Sequence, residues 1–349
     1  MRTYIKNSTL LSLNLLLFST FLIFGSYYCS GQEKEVSFKD LVQSTDSLNS
    51  PVYLHNGSPF TGVVSNYYEN GKLASKINLI DGKFNGLEVG YYENGNIRGK
   101  INYKNNVHHG EYEEYYENGK LKKKANGING QPEGLALRYY DNGQVEEETN
   151  FKNGKKDGVW KAYYENGQLK EEVNYTNNKE NGVWSFYYEN GQLKESYSIL
   201  NNRKSGEHKA YYENGQIKLI GNYNEGGHES GEWRYYYEKG QLKEIGNFNE
   251  RGVSIGEWKT YYSNGNLSSI GYYMNPSDTY SGVLEEIDNS DFSLAQLGSF
   301  SSHKDGEWKM YHENGKLKEV GKYFDNLEIG EWKYYDENGE LINTKNFKN

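Results

Sequence analysis

The decapeptide Gly158-Val159-Trp160-Lys161-Ala162-Tyr163-Tyr164-Glu165-Asn166-Gly167 decides the fold, because it recurs along the chain with little change. Its opening glycine reappears at Gly62, Gly86, Gly110, Gly134, Gly158, Gly182, Gly206, Gly231, Gly256, Gly282, Gly306 and Gly330, spaced by 24 residues six times and then by 25, 25, 26, 24 and 24. Self-similarity at a fixed period is the signature of a repeat architecture. All 6 Trp of the protein fall two places after that glycine, at Trp160, Trp184, Trp233, Trp258, Trp308 and Trp332, and these are read as structural. The same column holds Tyr112 and Leu284 in other units.

Each unit reads as a β-hairpin. In the first half Trp184, Phe186 and Tyr188 alternate with Val183, Ser185 and Tyr187, the period of two that separates the faces of a strand. Asn190-Gly191 follows, a dipeptide that predicts a type I′ turn with positive φ at both residues. The second half opens on Leu169, Leu193, Ile217, Leu242 or Leu317 and runs to an aromatic such as Tyr175, Tyr223, Phe248 or Tyr323. Neither half has room for an amphipathic helix, and the aromatic, β-branched content favours strand. Twelve hairpins predict about 24 antiparallel strands, a single sheet on the order of 115 Å long at about 4.8 Å per strand. The expected class is therefore all-β, an elongated antiparallel array in which each hairpin leans on its neighbours. A half-buried Trp in a one-layer sheet would contribute roughly 2 to 3 kcal/mol.

Composition agrees. The chain has 349 residues, only 35% of them hydrophobic but 15% aromatic, with 35 Tyr, 40 Gly and 4 Pro. That is too little apolar content for several globular cores, which run at about 45–50%, and too much aromatic content for a disordered chain. The net charge of −9 argues against nucleic-acid binding and against strong direct binding to anionic membrane.

The ends and one interior unit depart from the pattern. Arg2 and Lys6 precede an apolar stretch from Leu10 to Phe24, so residues 1–31 read as a secretory signal peptide whose removal takes the charge from −9 to −11. A retained membrane anchor is the alternative, although the run is shorter than the roughly 20 apolar residues a span needs. Cys29, the 1 Cys of the chain, is the residue a lipid anchor would use, but Tyr27-Tyr28 stand where lipoprotein signals place a small residue. Residues 32–50, rich in Ser, Asp and Lys, are expected to form a linker, and 51–349 the array. The unit near 282–305 is degenerate: Leu284 replaces Trp, Ile287-Asp288 replaces the Tyr pair and Asp291 the turn glycine. A bend or weak joint is expected there. At the far end Lys345 and Lys348 on the last strand would discourage edge-to-edge pairing.

The unit Gly-Glu-Trp-Lys-x-Tyr-Tyr-Glu-Asn-Gly-Gln-Leu-Lys-Glu resembles the MORN repeat, in the variant found in bacterial antitoxin components of the YwqK type. The likeness covers Pro51 to Asn349, including the lead-in Tyr53-Leu54-His55-Asn56-Gly57-Ser58-Pro59-Phe60-Thr61-Gly62. It implies an elongated antiparallel sheet and a protein-binding scaffold, with a toxin-like or envelope protein as partner. The leader peptide departs from a cytosolic antitoxin and points to the periplasm, the cell surface or secretion. The hairpins are similar, more loosely, to choline-binding and cell-wall-binding repeats, which implies the alternative of a glycan or cell-wall ligand.

No constellation for catalysis, cofactor or metal is expected. His55, His108, His109, His208, His228, His303 and His312 are scattered, and the adjacent His108-His109 would point to opposite faces of a strand. The glycines stand in turn columns, not in a phosphate loop ahead of a helix. The open choice is the Tyr pair. Both rings can serve packing, or the column Tyr163, Tyr187, Tyr211, Tyr236 and Tyr261, with Lys161, Lys209, Lys259, Lys309 and Lys333 on the same face, can form a strip for a partner. Tyr and Lys together would suit an acidic protein segment or a glycan.

Overall fold

The computed structural model describes residues 34–274 and 302–347. Residues 1–31, read above as a signal peptide and containing Cys29, and most of the unit near 282–305 lie outside them. Eleven of the expected hairpins are present, and they supply twenty-two strands of one 25-stranded sheet. The other three are Glu35–Ser37 and the short extensions Gln131–Pro132 and Lys155–Lys156. The chain passes across the sheet as a meander in sequence order. In a representative unit, Lys179–Tyr187 pairs antiparallel with Leu193–Leu200, with Gly182 opposite Ile199, Trp184 opposite Tyr197 and Phe186 opposite Glu195. Leu193–Leu200 then pairs with Arg203–Tyr211 of the next unit.

The turns reverse one expectation. At Asn190-Gly191 only the glycine has positive φ, 84°. Tyr188 N–H donates to the Gln192 carbonyl at 2.8 Å, and Gly191 N–H donates to the Tyr188 carbonyl at 2.9 Å. This is a three-residue loop, a type I turn closed by a glycine bulge. The two-residue turns with positive φ at both positions lie at the opposite edge, between units, at Asn177 (51°)-Asn178 (66°), Asn201 (52°)-Asn202 (63°) and Asp325 (50°)-Asn326 (67°). Asn tolerates the left-handed region, so no glycine is needed there.

The same edge explains the change of period. After the Gly206 and Gly231 units the two-residue turn is replaced by a three-residue loop, in which Gly227 N–H donates to Asn224 and Gly252 N–H to Asn249. One residue is added to the loop and none to the strands, so 24 becomes 25 while the pairing continues.

No joint separates the units on either side of the Gly282 segment. Leu267–Met274 pairs directly with His303–Tyr311, Ile270 opposite Lys309 and Tyr273 opposite Lys304. The sheet runs on, and the intervening residues are an insertion between neighbouring units.

Residues 34–50 are more than a linker. Glu35–Ser37 adds a parallel strand beside Gly62–Tyr67, and Val42–Thr45 joins Pro51–His55 and Ser58–Pro59 in a separate three-stranded sheet. Together they enclose a cluster of Phe60, Val64, Ile77 and Leu79, packed by Val36, Leu41, Tyr53, Phe84 and Tyr103. The lead-in thus covers the first edge of the array. Gly62 is required at this crossing, because a Cβ on it would overlap the Lys34 carbonyl oxygen. At the other end of the described residues, Leu341–Phe347 is an edge strand exposed at every position but the last.

Candidate binding faces

Two faces of the sheet carry different chemistry. On the Trp face, successive units interlock. Trp233, Trp258, Trp308 and Trp332 lie flat on Gly221, Gly246, Gly271 and Gly321 of the preceding hairpin, where any Cβ would overlap the indole. Their exposure falls to 1%, 7%, 5% and 1%. This is deeper burial than a one-layer sheet led us to expect, and the glycine seat is the reason. Each indole N–H donates to the carbonyl of the residue after its glycine, as in Trp233 to Asn222 at 3.2 Å and Trp332 to Lys322 at 3.3 Å. Tyr and Phe rings stand edge-on between them: Phe248 and Trp258 are 5.1 Å apart at 87°, Tyr323 and Trp332 5.1 Å at 81°.

In the seat column Thr149 and Val173 of the preceding hairpins stand where the later units have glycine, and Trp160 and Trp184 remain half-buried. Trp160 donates to the Glu147 carboxylate at 2.9 Å, and the Trp184 indole N–H is buried without an acceptor. Burial pushes the Glu147 carboxyl up, but hydrogen bonds from Thr149 and Trp160 and the charge of Arg138 prevail and hold it below its ordinary value. Earlier in the chain Glu88 occupies the Trp column, and with Gly90 and Gly99 beside it the face sinks into a shallow hollow of about 240 Å³, also lined by Arg98, Ile101, Tyr112 and Glu114.

The second residue of each Tyr pair is structural. Tyr164 OH donates to the Tyr187 carbonyl at 2.8 Å, Tyr188 to Tyr211 at 2.8 Å, Tyr212 to Tyr236 at 2.7 Å and Tyr237 to Tyr261 at 2.7 Å. Tyr262 continues the ladder to Tyr311 at 2.7 Å, across the insertion. In the next unit His312 takes the tyrosine's place and its Nε2 meets the Tyr335 carbonyl at 3.0 Å. The turn asparagines add a parallel ladder: Asn190 receives Gln192 N–H at 2.9 Å on its oxygen and donates through its amide to Glu213 O at 3.2 Å.

The first residue of each pair forms the proposed strip. Tyr163, Tyr187, Tyr211, Tyr236 and Tyr261 are all half-buried and stand opposite Leu169, Leu193, Ile217, Leu242 and Leu267. The result is a Tyr–aliphatic band running from unit to unit on the face opposite the tryptophans, at about 10 Å per unit. The lysines of that face are not a free basic stripe. Lys209 bonds Glu207 at 2.7 Å, Lys259 bonds Glu257 at 2.6 Å, Lys309 bonds Glu307 at 2.6 Å and Lys333 bonds Glu331 at 2.9 Å. Lys161 reaches Glu172 at 3.5 Å. Bonds to these carboxylates push the Lys209 and Lys259 ammoniums up. A band flanked by neutralised pairs has no electrostatic preference for an acidic segment. Among the described residues no group of three or more His, Cys, Asp or Glu is placed to hold a metal ion.

The MORN repeat variant matches the chain at 60–81, 84–105, 109–129, 132–153, 156–177, 180–201, 204–225, 229–250, 255–275, 304–326 and 328–349. The chain belongs to the MORN repeat variant family. The eleven matched MORN segments correspond to the eleven hairpins of the sheet, and none falls on the insertion. MORN repeats are generally scaffolds for interaction with proteins or membranes. No curated protein matches the chain. Among solved structures it is similar to TcdB2-TccC3, at 13% identity and a TM-score of 0.18, covering 82% of this chain and 17% of that one. It is likewise similar to TcdB2-TccC3-Cdc42, at 12% identity and a TM-score of 0.14, covering 87% and 20%.

Proposed function

We propose that the protein is an exported, non-enzymatic scaffold that binds a protein partner along the Tyr–aliphatic band. The observation that carries the reading is the division of labour within the Tyr pair. The second ring is committed to the inter-unit ladder, whereas the first presents a half-exposed ring beside an aliphatic side chain in unit after unit. Tyr is enriched at protein interfaces, and a regular band lets several weak contacts act together. The leader-like residues 1–31 support export to the periplasm, cell surface or medium. The likeness to YwqK-type antitoxin components supports a toxin-like or envelope protein as the partner.

Photo-crosslinking tests this reading. A benzoylphenylalanine at Tyr187, Tyr211 or Tyr236 should give one discrete protein adduct in the native envelope fraction, and one at Ala162 on the Trp face should not. Absence of adducts from the band positions overturns the reading. Retention of the protein by purified cell wall, lost on Tyr187→Ala with Tyr211→Ala, would replace it with a glycan-binding array.

A further inference from the structure

Lys156, Lys204 and Lys304, all at one position of the repeat, each sit over two aromatic rings of the Trp face. Lys156 Nζ lies 5.0 Å from the Tyr175 ring and 5.8 Å from the Trp160 ring of the following unit. Lys304 lies 4.4 Å from Trp308 and 5.0 Å from Tyr323. Lys204 lies 4.0 Å from Tyr197 and 5.5 Å from Tyr223, and its ammonium also bonds the Glu195 carboxylate at 3.1 Å. Pairing fixes the equivalence: Lys156, Lys204 and Lys304 stand opposite Phe151, Ile199 and Tyr273, and the residue in that place in the Gly231 unit is Ser254, opposite Phe248.

The surroundings of Ser254 are those of a lysine seat. Trp258 and Tyr273, which correspond to the Trp160–Tyr175 and Trp308–Tyr323 pairs, lie 5.9 Å apart at 86°. Glu244 occupies the position of Glu195, between Tyr235 and Thr260 on the neighbouring strands. Among the described residues it has no hydrogen-bond or ion-pair partner, although it is half-buried. Burial pushes its carboxyl up, and its charge in turn helps hold the Tyr273 phenol up, after burial. Two ring faces and an unpaired carboxylate attract an ammonium, electrostatically through the rings and by a charge-assisted hydrogen bond through the carboxylate.

We propose that Trp258, Tyr273 and Glu244 form a receptor for a lysine side chain of a basic partner segment, which takes the place that Lys156, Lys204 and Lys304 fill in other units. The inference rests on the binding-scaffold reading, but on the opposite face from the Tyr–aliphatic band, so the two can fail separately.

The test uses the full chain labelled with 5-fluorotryptophan, its Trp258 resonance assigned with Trp258→Phe, and a decalysine peptide as probe. Decalysine should shift the Trp258 resonance, and Glu244→Gln should weaken that response at least fivefold. Ser254→Lys should move the resonance in the free protein and abolish the response, because the chain then fills its own seat. The proposal is overturned if Glu244→Gln responds with the wild-type midpoint. It is also overturned if choline shifts Trp258 while decalysine does not, which would make the site one for a small quaternary ammonium. Loss of partner crosslinks at Tyr187 and Tyr211 with the Trp258 response intact would remove the proposed function of the band and leave this site standing.

Discussion

The hairpins from Gly231 onward and the pair at Gly158 and Gly182 are built from one repeat, yet they bury tryptophan differently. In the later units the indole has a glycine floor, edge-on aromatic walls and a backbone acceptor for its N–H. In the Gly158 and Gly182 units the floor is Thr149 or Val173, the ring stays half-buried, and its N–H depends on a carboxylate or finds nothing. Burial of a large residue is thus set by a residue of the preceding unit, as with Gly221 under Trp233 and Gly271 under Trp308. The stabilising contact crosses the boundary between repeats, as expected for an array whose cooperativity resides in its interfaces.

Substitutions at the two kinds of seat should diverge most. Trp233→Ala removes a fully buried ring and should cost about 3 to 5 kcal/mol in the local opening free energy, measured by hydrogen exchange. Trp184→Ala should cost less than half as much, and equal losses would erase the distinction. Next in size, Gly246→Ala forces a methyl into the Trp258 ring and should destabilise by about 1 to 3 kcal/mol, read from the protection of Leu242–Phe248. Val173→Ala tests the other class, where the methyl groups lost are those of a side chain with 0% exposure.

Acidification should separate the regions in opposite directions. The folded Glu147 carboxyl lies below its ordinary 4.5, so its contribution is present above 4.5 and is lost as pH falls through the folded value. Glu244 lies above 4.5, so its contribution is full below 4.5 and is lost as pH rises through the raised value. Exchange protection around Trp160 should therefore fall between pH 6 and pH 3, and that around Trp258 should hold or rise. A parallel decline in both regions would contradict the difference in their environments.

The smallest effect should be the uniform one. The tyrosine ladder has the same geometry in the early and middle units, Tyr92 to Tyr115 at 2.7 Å and Tyr212 to Tyr236 at 2.7 Å. Removing the hydroxyl by Tyr92→Phe or Tyr212→Phe should cost about 1 kcal/mol at either place. Unequal costs would show that the regions differ in more than the Trp seat.

The repeat, the strand class and the columns were legible in the chain because strand alternation and a fixed period are one-dimensional signals. What lay across unit boundaries was harder to read. Asn190 looked like a turn residue wanted for positive φ, but its value is in its side chain, which closes its own loop and ties it to the next. The Asn177-Asn178 pair, which does adopt positive φ, lacked the glycine that usually marks such turns. Gly221, Gly246, Gly271 and Gly321 stand at constant offsets before Trp in the first two cases, a signal that was available. The insertion stretches the third offset to Gly271–Trp308, and only the pairing of Leu267–Met274 with His303–Tyr311 restores it. Strand parity gives the face of the candidate strip, but the pairing of Lys209, Lys259, Lys309 and Lys333 with the acid two residues before each depends on side-chain rotamers that parity does not set.

The seating of each tryptophan on the glycine of the hairpin before it also says where this polymer can be cut. A cassette excised from one opening glycine to the next would carry a ring without its floor and a floor without its ring. A cassette taken from just before Gly221 to just before Gly246 keeps Trp233 with Gly221 and restores a matched junction wherever it is spliced among the later units. Lengthening or shortening the protein by such cassettes should leave both new seams as well fitted as the old ones.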